Sequence, residues 1–192
     1  MITDVLACHD APVSVLTDYF AAGSDDVAAT AVDVVDEQPR LLDLTAEDVA
    51  AGKALYRISP DEATRPRVQR ARSGTLVVQS KGVDPTCLAR LETILTGRSY
   101  DEVSADPRQA ALIAPAAQED IDGSMVLSVT DTLRDALASL KPSEQPQAAE
   151  QWANVEFDPT AADSLTMFLA ALTDLAQRAV VGNDQLYCYV CF

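Results

Sequence analysis

Positive charge is scarce in this chain. Against 30 acidic residues it carries 14 lysines and arginines, and only Lys53, Lys81 and Lys141 are lysines, so the formal charge is −16. A surface this negative repels nucleic acid and anionic lipid. Neither a nucleic-acid nor a membrane partner is therefore expected, whereas a basic protein partner is attracted. Histidine is scarcer still: His9 stands alone. A serine triad would have to use it, and no G-x-S-x-G turn is present. The glycine loops that cradle nucleotides, G-x-G-x-x-G and G-x-x-x-x-G-K-[ST], are also missing, and no cofactor is expected. No run of about 18 apolar residues exists, and the opening "MITDVLACHD" has acids where a secretory signal has basic residues. A cytoplasmic location is the expectation. There are seven glycines, too few for a low-complexity linker, and no internal repeat.

What is present suits a folded domain. The chain has 192 residues, 48% of them hydrophobic, enough for a single domain over residues 1–192 with a real core. Residues 2–9, "ITDVLACH", read as a strand, and Asp10 as the cap of a helix carrying Val13, Leu16, Tyr19 and Phe20, with Gly23 closing it. "VDVVDE" suits strand or helix. Thr45 and Asp48 suggest a capping box opening a short helix, with "ALYRI" a strand after it. "TLVV" reads as a strand. "DPTCLARLETILTG" is a helix by every local rule: Asp84 caps it, Pro85 takes its first position, Leu88, Leu91, Ile94 and Leu95 form the apolar stripe, and Gly97 stops it. "TDTLRDALASL" is another, capped by Thr130 or Asp131 with Leu133, Leu137 and Leu140 inward; Pro142 and Pro146 then break the chain. The longest helix has Leu165, Phe168, Leu169, Leu172, Leu175, Ala176 and Ala179 on one stripe and ends at Gly182. "QLYCYVCF", rich in aromatic and β-branched residues after a Gly-Asn-Asp turn, is a strand apolar on both faces and hence central. The sum is an α+β fold, with a mixed sheet containing the N-terminal strand Ile2–Cys8 and the C-terminal strand, packed by several helices.

Candidate chemistry thins out on inspection. "QEDIDGSMVL" resembles half a calcium loop. With Gly123 in the sixth position the ligands are Gln118, Asp120 and Asp122, but the twelfth position, which needs a bidentate glutamate, is Val129. Asp-Gly before an apolar run is a turn signal. Cysteines stand at Cys8, Cys87, Cys188 and Cys191. The C-x-x-C at the end lies in a strand, where residues three apart point to opposite faces, so buried thiols are expected and no metal. Cys8 and His9 diverge as strand neighbours, so a thiol–imidazole pair would need His9 beside another cysteine such as Cys188.

One stretch departs in charge. Between Glu62 and Asp84 there is no acid, and Arg65, Arg67, Arg70, Arg72 and Lys81 form a basic island. It lacks the interleaved aromatics of a nucleic-acid platform. Arg65, Arg67, Arg70 and Arg72 are the candidate binding residues, for a phosphate or an acidic group; otherwise they are a loop that offsets part of the acidic body.

From Leu95 onward the order of features is recognisable: "LTGRS" ending a helix, "DPRQAALIAP", "DIDGSMVLSV", the helix "TLRDALASL", a long helix, and "GNDQLYCYVCF". This order resembles the bacterial YfbM-like family, a family of unknown function, over about residues 84–192 and more weakly over 1–23. The resemblance implies a single domain in which residues 24–83 are an expanded or divergent segment. Members carry a tryptophan and often a histidine in the helix before Leu-Thr-Gly. Here that helix reads "CLARLETI", and no catalytic residue carries over. Taken together, the expectation is a non-enzymatic interaction protein, immunity- or inhibitor-like, binding a basic protein partner. The alternatives are a nucleic-acid mimic and an enzyme using His9 with a nearby cysteine.

Overall fold

Alternation along β1 (Leu16–Ala22) sets the architecture. Thr17, Tyr19 and Ala21 face one side, and the Thr17 and Tyr19 hydroxyls both donate to the Val83 carbonyl, at 2.7 and 2.9 Å. Phe20 and Ala22 face the other side and are buried there. This corrects the expected helix through Leu16, Tyr19 and Phe20. Those positions match helical spacing by coincidence, because a strand buried on both faces has apolar residues at nearly every step. Gly23 consequently follows a strand.

The computed structural model describes residues 16–30, 68–70, 76–114 and 124–191. After β1 come α1 (Asp25–Ala29), β2 (Val68–Arg70), β3 (Leu76–Lys81), α2 (Pro85–Thr96), α3 (Tyr100–Ser104), β4 (Leu112–Ala114) and β5 (Ser124–Ser128). Then follow α4 (Asp131–Ser139), α5 (Gln145–Glu156), a 3₁₀ turn Pro159–Ala161, α6 (Ala162–Gly182) and β6 (Gln185–Cys191). The expected strand Ile2–Cys8, the Asp10 cap, the Thr45/Asp48 helix and the segments "VDVVDE" and "ALYRI" lie outside the described residues.

The fold is α+β. The strands form one sheet in the order β2-β3-β1-β6-β5-β4, so the first and last described strands are neighbours and β6 is central, as its composition requires. Every described ladder is antiparallel, which corrects the expected mixed sheet. The chain leaves β5 at Ser128, passes through three helices and returns to the same end of the sheet. There Tyr187 sits opposite Ser128, so β6 runs back along β5.

Helices α2, α4, α5 and α6 pack on one another, and α6 lies across β3, β1 and β6. Its stripe from Leu165 to Ala179 is buried as the spacing predicts, with Thr173 added. By length and composition the segment Pro159–Gly182 would also suit a bilayer, but here it buries that stripe as a core helix does. The left-handed residue closing α6 is Asn183 (φ 55°), one step past the expected Gly182. In α2 the Asp84 carboxylate accepts from Thr86 N at 2.8 Å and Cys87 N at 3.2 Å, and Gly97 (φ 74°) caps the far end. Thr130 caps α4. Helix α5 is a second correction: Pro146 opens a helix here, since a first-turn residue needs no backbone N–H. Trp152 of α5 is fully buried and donates Nε1–H to the Cys87 carbonyl at 3.2 Å.

Candidate functional site

Of the residues singled out from sequence, Arg65, Arg67 and Arg72 lie outside the described residues, as do Cys8, His9, Asp120 and Asp122. Arg70 closes β2, the strand at one end of the described sheet order. Cys188 is placed: it sits on the helix-covered face of β6 with no exposure. Burial pushes its thiol well above the ordinary value, so it is protonated at neutral pH. A thiol without thiolate character and without access is not a nucleophile. Cys87, on α2, is equally buried.

The charges are organised more tightly than composition suggests. Six cations have described side chains, and each has a carboxylate partner. Arg90 is 3.9 Å from Glu156, Arg98 is 2.6 Å from Glu92, and Arg108 is 3.1 Å from Asp25. Arg134 meets Asp131 at 3.2 Å and Asp135 at 2.8 Å, Lys141 meets Glu144 at 3.2 Å, and Arg178 meets Asp174 at 3.0 Å. Asp26, Asp101, Glu150 and Asp163 are exposed and form no ion pair among the described residues. Among the described residues, exposed carboxylates are therefore left without an ion-pair partner while each cation has one.

One pair is structural. Glu92 of α2 is completely buried, taking the Arg98 guanidinium on one oxygen and the Thr130 hydroxyl on the other. Thr130 also caps α4 through Leu133 N at 3.1 Å. A single buried carboxylate thus ties the C-terminal half of α2 to the start of α4. Removing Arg98 would leave the buried Glu92 charge without its counter-ion, which costs about 3–5 kcal/mol.

The most elaborate polar cluster lies on the opposite face of the sheet. The Tyr187 hydroxyl donates to Asp25 Oδ1 at 2.7 Å and lies 2.7 Å from Gln185 Oε1. Arg108 donates to the same Asp25 oxygen and its guanidinium carbon is 5.4 Å from the Tyr187 ring centre. Arg108 Nε and Nη2 are shielded and have no hydrogen-bond acceptor among the described residues. Burial first, then the bond to Asp25, raises the Tyr187 hydroxyl to about 12. The same bond is the main reason the Asp25 carboxyl is lowered. An open depression of about 440 Å³ beside the cluster is lined by Gly23, Ser24, Asp25, Asp26, Arg108 and Gln185. With a tyrosine that stays protonated and a carboxylate that stays charged, the cluster has no member that exchanges protons near neutral pH. It fixes α1 and the turn before β4 against β6. Arg108 and Asp25 are 83 residues apart in sequence, and no local signal links them.

No protein-family model, no curated protein and no solved structure matches the chain.

Proposed function

We propose that this chain is a non-enzymatic interaction protein, immunity- or inhibitor-like, that docks a basic protein partner through its unpaired carboxylates. The observation that carries this reading is the local neutralisation of all six described cations, which leaves Asp26, Asp101, Glu150 and Asp163 to act outward. Excess charge of one sign steers an oppositely charged partner and raises its association rate. The burial and raised thiol of Cys188 speak against the pairing of His9 with that cysteine. Arg65, Arg67, Arg70 and Arg72 enter the proposal as the complementary contact for acidic groups on the partner. The kinship with YfbM-like proteins belongs to the same proposal. Its support is the order of elements after Asp84: a helix closed by Gly97, strand β5, helix α4, then the α6–β6 pair.

The test is affinity capture with the tagged chain in lysate of its source cells at low and high salt, followed by kinetics with the purified partner. A saturable basic protein is expected, with an association rate that falls about tenfold or more as the Debye length drops from ~30 Å to below ~8 Å. No saturable partner at either salt, or one that is itself acidic, would sink the proposal.

A further inference from the structure

We draw no further inference here: the strongest candidate, the depression between the start of α1 and the turn before β4, is lined by two carboxylates and a single arginine that already holds Asp25, and among the described residues nothing shows what would occupy it.

Discussion

The two faces of β6 were built for different purposes from alternate residues of one strand. Leu186, Cys188 and Val190 join the larger cluster under the helices, with Tyr19, Leu88, Leu91, Leu133, Leu137, Trp152, Leu169 and Leu172. Tyr187 and Tyr189 join the smaller cluster on the far side, with Phe20, Ala22, Ala28, Ala114 and Val126. The helix face is dominated by aliphatic side chains, and the Trp152 indole and the Tyr19 hydroxyl there both donate to backbone carbonyls. The far face is aromatic with polar handles: Phe20 stacks on Tyr187 with ring centres 5.7 Å apart, and Tyr187 reaches Asp25. Asp18 alternates onto the same side as Phe20, opposite Tyr189 and Gln79 in register. Stability resides in the first face and tunable electrostatics in the second. That division leads to three measurable differences.

The largest belongs to the helix face. Trp152→Ala removes a fully buried indole and leaves the Cys87 carbonyl without its donor, and should cost about 3–5 kcal/mol in chemical denaturation. A loss below 1 kcal/mol would mean that this face does not carry the stability assigned to it.

The second belongs to Asp18. Burial raises its carboxyl from 3.8 to about 6, offset in part by a hydrogen bond from Gln79. A raised carboxyl is neutral in both states below pH 3.8, keeps its proton only in the folded state between there and about 6, and is charged in both above. Its contribution to stability therefore falls as pH rises through that window. Asp18→Asn should stabilise the protein at pH 7 by on the order of 2 kcal/mol, taken at 1.4 kcal/mol per pH unit and reduced for partial solvent contact. The gain should vanish near pH 3.5. A gain that is the same at both pH values would place its origin outside this titration.

The smallest belongs to Tyr187. Tyr187→Phe keeps the stacking on Phe20 and deletes the bond to Asp25, at a cost of about 1 kcal/mol. Because that bond is the first cause of the lowered Asp25 carboxyl, the variant should also move the Asp25 titration back up toward its ordinary value, readable by NMR. Stability from a lowered carboxyl is present above its unfolded value and lost as pH falls, so the variant's deficit should shrink in acid. An unmoved Asp25 titration would show that Arg108 alone holds it.

Local chemistry was legible where the residue itself carries the geometry. Asp84, Pro85 and Gly97 bound α2 in the positions their side chains dictate, and Thr130 caps α4. The stripe of α6 and the two-sided character of β6 could be read because a period and a composition survive in any surroundings. Two elements misled for physical reasons. Leu16, Tyr19 and Phe20 are compatible with a helix and with a strand buried on both faces, and only pairing with β3 and β6 selects the strand. Pro146 breaks a helix from inside and starts one from its first turn, and only Trp152 seated over α2 shows that a helix follows.

By itself the sequence determined the net charge, the capped helices, the central apolar strand and the absence of familiar catalytic motifs, since each is a property of composition or of residues within a turn of one another. Only the tertiary structure decided how the charge is spent. It paired the six described cations with carboxylates, sealed Cys188 away from reaction, and brought Arg108 to Asp25 across 83 residues. The physical reason is range: caps and periods act over a few residues, whereas ion pairs and burial act through space between segments whose meeting no local pattern records.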